Sequence, residues 1–352
     1  LTQLPEKFID EAIEAISSWD NYAPTPLIKL NKLNEELKFK NIYYKDEDKR
    51  FELKSFKALG GAFAVYKIAS EKKNITVSTA TAGNHGRSVA WGAQRLGLKC
   101  KIFISEFVSE SRAEAMRNLD AEVIRVKGNY DNSLKECIEQ SNKNNWEIVQ
   151  DVSWEGYKEV PKLIMAGYTI MVKEIIDEIN KNSITHVFLQ AGVGGMAAAM
   201  IAGFAKLSEN IPQFIIIEPE NADCVFQSIK NNKPTTVDIK KETVMGGMSC
   251  GDVSSIAWEI LKNSANYCLT IPDEAISTAV ALLAEKRLSN EKIIGGECAV
   301  PGVIALIGSF NNKEYLDKLK LNSESNVLLF GCEGLTDDAM YQKLLNDGLQ
   351  KI

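Results

Sequence analysis

The sequence predicts an open α/β fold in two lobes, and three observations lead there. Short β-branched or apolar runs alternate with longer helical stretches, the pattern of parallel strands joined by helical crossovers. Four strand-helix units fall between residue 75 and about residue 151, and a second set begins near His186, so two sheets are expected. At 352 residues the chain has room for two domains of about 100–200 residues each.

Taken in order, the expected strands are NIYYK at 41–45, ITVST at 75–79, KCKIFIS at 99–105, AEVIRV at 121–126, EIVQ at 147–150, HVFLQ at 186–190, FIIIE at 214–218 and VLLF at 327–330. Helical periodicity places helices at 86–96, 109–119, 132–144, 157–180 and 197–206. The polar, lysine-rich stretch 230–241 reads as an exposed loop.

Charge and composition exclude several classes of function. With 41 Lys+Arg against 47 Asp+Glu, a net charge of −6, no basic excess exists to hold nucleic acid or an anionic membrane. Seven scattered cysteines without a CxxC pair point to a reducing compartment and away from a disulfide frame or zinc knot. Only two histidines, His85 and His186, are present, so neither a histidine-rich metal centre nor a Ser-His-Asp triad is expected. The acidic, amphipathic N-terminus lacks the features of a secretory signal, and no apolar run nears the ~18 residues that span a bilayer. The expectation is a cytoplasmic protein without a metal.

Glycine placement carries the strongest signal. After HVFLQ comes Ala191-Gly192-Val193-Gly194-Gly195-Met196 and then an alanine-rich helix, which puts backbone N–H groups and a helix N-terminus where a phosphate can sit. The same segment fits a dinucleotide-binding turn, with Glu218 where a ribose-binding acid would stand; a purely structural tight turn is the plainer alternative. Three other segments fall at strand ends: 54–61 around Lys57, 79–86 around Asn84, and 330–334 around Cys332. Taken singly they read as a surface lysine, a turn asparagine, a structural histidine and a buried thiol. Together they offer a lysine at a helix start, whose ammonium is disfavoured there and whose amine can form a Schiff base.

Ser55-Phe56-Lys57, the Thr-Ala-Gly-Asn-His-Gly loop, the 192–196 loop and the 331–334 turn resemble the four signatures of fold type II pyridoxal-phosphate enzymes, the group of serine and threonine dehydratases and threonine synthase. Segments such as RFELKSFKALGG, VQDVSWEGY, THVFLQAGVGGMA, IIIEPENADC and IIGGECAVPG are similar to the diaminopropionate ammonia-lyases within that group. The resemblance implies two open twisted α/β lobes with the cofactor in the cleft between them: residues 1–77 and 160–352 as a large cofactor-binding domain, and 78–159 as a small mobile substrate-side domain. It also implies a small amino-acid substrate and a homodimer.

By position, the resemblance makes Lys57 the residue that carries pyridoxal 5'-phosphate and the base at the substrate Cα. The backbone of Gly192, Val193, Gly194, Gly195 and Met196 would hold the phosphate, Asn84 would meet the ring hydroxyl, and Cys332 would face the pyridine nitrogen as a neutral partner. Thr81, Ala82, Gly83, Asn84 and His85 form the loop for the substrate carboxylate. Asp151 would bind or protonate the departing β-amino group, or else merely cap the next helix.

One departure stands out. Where the diaminopropionate ammonia-lyases place an aspartate before Gly-Asn-His, the acid assigned to proton abstraction from the D-substrate, this chain has Ala82. The implied reaction is therefore α,β-elimination on 2,3-diaminopropionate, the L-isomer favoured, giving pyruvate and ammonia. A dehydratase of L-serine or L-threonine is the nearest alternative; an NAD-binding oxidoreductase and a catalytically silent subunit are more distant ones.

Overall fold

The computed structural model describes residues 4–179 and 183–352. Ten strands occur among them: β1 Leu27–Lys29, β2 Asn41–Asp46, β3 Thr76–Ala80, β4 Lys99–Ser105, β5 Glu122–Val126, β6 Glu147–Ile148, β7 His186–Gln190, β8 Gln213–Pro219, β9 Tyr267–Ile271 and β10 Asn326–Gly331. The chain forms two compact units, one of residues 23–54 and 171–352, the other of residues 4–22 and 55–170.

In the first unit the strand order is β1-β2-β10-β7-β8-β9, parallel except for β1 against β2. From β7 the chain builds outward through β8 and β9 and returns as β10 on the other side of β7. Such a reversal leaves a crevice at the carboxyl ends of the two strands where the order switches. The 191–196 loop follows β7, and the 331–334 turn closes β10. Every residue of β7 and β10 is buried, which is why these strands read as unbroken apolar runs.

The second unit repeats the device with a parallel sheet ordered β5-β4-β3-β6. Here the reversal lies between β3 and β6, and the carboxyl ends of those strands lead into the 81–85 loop and into Asp151. Ala80, Phe103 and Cys137 form a buried cluster against which Ile124, Val126, Tyr130, Leu134 and Trp146 pack.

The Lys57–Glu71 helix belongs to this second unit, packing on the Asn84–Arg95 helix and, through paired glycines, on the Glu159–Tyr168 helix. A Cβ on Gly60 would stand 2.5 Å from the Ile164 carbonyl oxygen, and one on Gly167 would stand 2.8 Å from the Gly60 Cα. Residues 4–22, 55–77 and 160–170 thus fall in the unit of β3–β6, whereas the sequence groups them with the larger domain.

Several element boundaries also differ. The expected helix 157–180 is broken at Thr169, whose hydroxyl bonds the Ala166 carbonyl at 2.6 Å, giving Glu159–Tyr168 and Ile170–Glu178; its last residue, Asn180, lies outside the described residues. The helix expected at 132–144 begins at Tyr130, after a capping box between Asn129 and Asn132. Strand β6 is shorter than the expected 147–150, and β1 and β9 are additional. Among the described residues no helix is long and apolar enough to cross a membrane, and all seven cysteines are free.

Candidate active site

Lys57 is the first residue of its helix, and its backbone N–H donates to the Ser55 hydroxyl at 3.3 Å. That bond serves one of the N–H groups a helix start leaves unpaired. The chain enters this turn through Phe51, Glu52 and Lys54, all at positive φ (47°, 62° and 59°), a conformation that costs a non-glycine residue on the order of 1–3 kcal/mol.

Lys57 Nζ donates to Asp151 Oδ2 at 2.5 Å. Burial opposes ionisation of Asp151, yet His85, when protonated, and Lys57, through its charge and its hydrogen bond, outweigh it and hold the carboxyl well below the usual carboxylate range. Asp151 is therefore no helix cap: the helix that follows starts at Glu159, behind Lys158.

Asp151 is held in place by its neighbours. Strand β6 has only two paired residues, but the pairing continues through a side chain. Gln150 Oε1 accepts from Ala80 N at 3.1 Å and from the Thr79 hydroxyl at 2.8 Å, while its Nε2 donates to Ala80 O at 3.0 Å and to the Tyr130 hydroxyl at 2.7 Å. The Tyr157 hydroxyl accepts from Gln150 N and donates to Ile148 O, both at 2.8 Å. His85 Nε2 donates to Val149 O at 2.8 Å. Motif reading passes over Gln150 and Tyr157, whose one signal is that they flank the acid.

The His85 bond fixes its chemistry. A carbonyl only accepts, so Nε2 carries the proton and Nδ1 presents a lone pair in the neutral ring. Nδ1 lies 3.8 Å from Asp151 Oδ2 and has no hydrogen-bond partner among the described residues. Burial lowers the His85 pKa; the Asp151 charge opposes this and the Lys57 charge adds to it.

The 81–85 loop is organised by Thr81. Its Oγ1 accepts from Gly83 N at 3.0 Å and from Gly86 N at 3.1 Å, and a Cβ on Gly86 would lie 2.3 Å from the Thr81 methyl, which explains the glycine. The Thr81 oxygen is thus committed to its own loop and has only its proton to offer a ligand. Asn84 begins the next helix. Ala82 is exposed, and its carbonyl accepts from Arg112 Nη1 at 3.3 Å.

In the first unit, Gly194 stands at φ 90° as the N-cap of the Gly195–Leu207 helix, and a Cβ there would be 2.7 Å from Leu261 Cδ1. One on Gly192 would be 3.0 Å from the Gly247 carbonyl oxygen, whereas one on Gly195 would meet open space. Val193 O accepts from Ser254 N at 2.9 Å. First-turn N–H groups of the helix have no acceptor within it, so the loop fits an anionic group such as a phosphate.

Cys332 is buried and directs its thiol to the Cys298 carbonyl at 3.1 Å. A buried thiol so engaged is a weak donor without charge. Nearby, Glu297, Cys298 and Glu333 bring three ligand-type atoms within 4.8 Å; Glu333 Oε1 accepts from Cys298 N at 3.1 Å, a structural use that needs no ion. Glu218 is fully buried, and its two oxygens accept from Val225 N at 2.8 Å and Phe226 N at 2.6 Å. It caps a helix, which takes from the dinucleotide reading its ribose-binding acid.

The family described as "Pyridoxal-phosphate dependent enzyme" matches residues 19–332. Diaminopropionate ammonia-lyase of Escherichia coli (strain K12) is 34% identical over 351 residues, 93% of this chain and 88% of the relative. Catabolic L-threonine dehydratase of Staphylococcus aureus (strain USA300) is 26% identical, covering 90% and 88%. Among solved structures, the Escherichia coli diaminopropionate ammonia-lyase in complex with D-serine superposes with a TM-score of 0.91 at 32% identity, covering 98% of this chain and 93% of that one. Threonine deaminase isoform 2 of Solanum lycopersicum, at 21% identity and a TM-score of 0.81 over 99% of this chain and 90% of that one, shares the fold. The chain belongs to the pyridoxal-phosphate-dependent enzymes of fold type II, in the diaminopropionate ammonia-lyase group, and is an ammonia-lyase of that group.

Proposed function

We propose that the chain eliminates ammonia from 2,3-diaminopropionate, with the L-isomer preferred, so that substrate and one water give pyruvate and two molecules of ammonia. The observation that carries this reading is the ionised Asp151 carboxylate with an ammonium at 2.5 Å. In that pair Lys57 Nζ stands in for the β-ammonium of the substrate.

Lys57 would hold the cofactor through Nζ, the N–H groups of residues 192–196 its phosphate, and Asn84 its ring hydroxyl, with Cys332 beside the ring nitrogen. When bound, pyridoxal phosphate withdraws electron density from the substrate Cα and makes its proton removable by an amine. The Lys57 amine takes that proton. Asp151 keeps the leaving group as an ammonium and orients it; held so far toward the carboxylate, it acts as a counter-ion more than as a proton donor. The N–H groups of the 81–85 loop and the Thr81 hydroxyl hold the substrate carboxylate, while His85, neutral and fixed by Val149, has an Nδ1 lone pair to accept a hydrogen bond.

The preference for the L-isomer rests on Ala82, which supplies no acid where D-proton abstraction needs one. Residues 4–22 and 55–170 would form the substrate-side part. A homodimer in the cytoplasm completes the reading; free thiols suit a reducing compartment.

A dehydratase of L-serine is the second reading, favoured by the same Ala82. Pyruvate formation from L-diaminopropionate, D-diaminopropionate and L-serine separates the possibilities. The expected order is L-diaminopropionate first by about tenfold or more in kcat/KM; L-serine turning over fastest would overturn it.

A further inference from the structure

We propose that Tyr168 is a positioning residue for Lys57, its phenol O–H donating to the lysine amine when that amine is unprotonated; this rests on the reading of Lys57 as the working amine. Tyr168 is 2% exposed, and its hydroxyl completes no hydrogen bond of full geometry among the described residues. A buried hydroxyl left unpaired costs about 1–3 kcal/mol, so its retention calls for a reason.

The ring is placed by the turn that carries the lysine. It meets the Phe56 ring edge to face, with centroids 4.7 Å apart and planes at 64°, and it fills the space beside Gly60, where a Cβ would be 2.5 Å from Tyr168 Cε1. Phe56 and Gly60 stand one residue before and three after Lys57, so the ring lies across the first turn of the lysine helix. The close approach of Gly167 to Gly60 brings it there. Burial raises the phenol pKa, the Lys57 charge and the side-chain interaction of Lys57 with the hydroxyl lower it, and the Asp151 charge raises it. The group is a neutral O–H within electrostatic reach of both.

The test is Tyr168→Phe, which keeps the ring and its packing. We expect kcat to fall about tenfold or more with KM changed less than about twofold, the split for a contact made during reaction. In the cofactor-free protein, the pH of half-labelling of Lys57 by formaldehyde and cyanoborohydride, followed by mass spectrometry, should rise, because the neutral amine loses its donor. The melting midpoint of that protein should not fall. A kcat within twofold of wild type, an unchanged labelling profile, or a lower midpoint would each overturn the proposal. A separate control reports on the parent reading: wild type should gain an absorbance band with pyridoxal phosphate that Lys57→Ala lacks, and identical spectra would sink that reading whatever Tyr168→Phe does.

Discussion

Lys57 Nζ and Asp151 Oδ2 stand 2.5 Å apart although 94 positions separate them in the chain. Sheet order brings them together. Because β6 returns beside β3 after β4 and β5 have been laid outward, the residue after Gln150 reaches the carboxyl end of β3, and the side-chain pairing of Gln150 with Ala80 extends the sheet to that point.

Removing the charge of Asp151 while keeping its shape tests its role. Asp151→Asn should lower kcat/KM for 2,3-diaminopropionate by on the order of 100-fold, about 2–3 kcal/mol, as for a buried charge partner. L-Serine, which has no β-ammonium, should lose far less. An equal loss on both substrates in steady-state assays would assign Asp151 to orienting Lys57 alone.

Restoring the missing acid should widen the stereochemical range. Position 82 is exposed, so Ala82→Asp should change stability by less than about 0.5 kcal/mol. Arg112 Nη1, already 3.3 Å from the Ala82 carbonyl oxygen, would favour the ionised acid. Turnover of D-diaminopropionate should rise by about tenfold or more, the scale of one positioned base. A variant that stays inert toward the D-isomer would show that position 82 does not set the preference.

The glycine loop and the lysine turn were legible in the sequence because they are local. The 191–196 glycine loop, the β7 run HVFLQ and the lysine at a helix start each lie in a few consecutive residues, and each stands where its pattern says. Gln150, Tyr157 and Tyr168 were not legible, since nothing about an isolated glutamine or tyrosine shows which backbone groups or helix turn it will meet. The same reason explains the placement of the Lys57 helix: its pairing through Gly60 and Gly167 joins residues far apart in sequence. Thr169 breaks a periodic run at a point that neither Pro161 nor Gly167 marks, since both lie inside the helix that precedes it. Glu218, which resembles a ribose-binding acid by spacing alone, proves to be a helix cap once its two backbone donors are in view.

That cap gives a pH prediction. Burial pushes the Glu218 carboxyl up to about 8, despite the two N–H donors of the helix start. A pKa raised on folding means that the folded state holds the proton more tightly. Its contribution is fully present below the unfolded value of about 4.3 and is lost as pH rises through about 8. Asp46, raised to about 6, has largely completed its own loss by then. Between pH 6.5 and 8.5 the urea midpoint of wild type should therefore fall, and Glu218→Gln should flatten that slope even where it lowers the midpoint overall. Parallel slopes for the two proteins would show that Glu218 does not titrate in this window.

Gly60 provides a test of the packing that places Tyr168. Glycine to alanine inside a helix ordinarily stabilises by about 0.8–1 kcal/mol. At Gly60 the added Cβ would stand 2.5 Å from both the Ile164 carbonyl oxygen and Tyr168 Cε1, and 2.7 Å from Ile164 Cγ2. A backbone oxygen cannot swing aside as a side-chain end can, so the Lys57–Glu71 and Glu159–Tyr168 helices must separate. Overpacking of that kind costs about 1–3 kcal/mol, enough to outweigh the gain in helix propensity. Gly60→Ala should therefore lower the denaturation midpoint of the cofactor-free protein, whereas an unchanged or raised midpoint would mean that the two helices are free to part and that the glycine pair does not set the position of the Tyr168 ring.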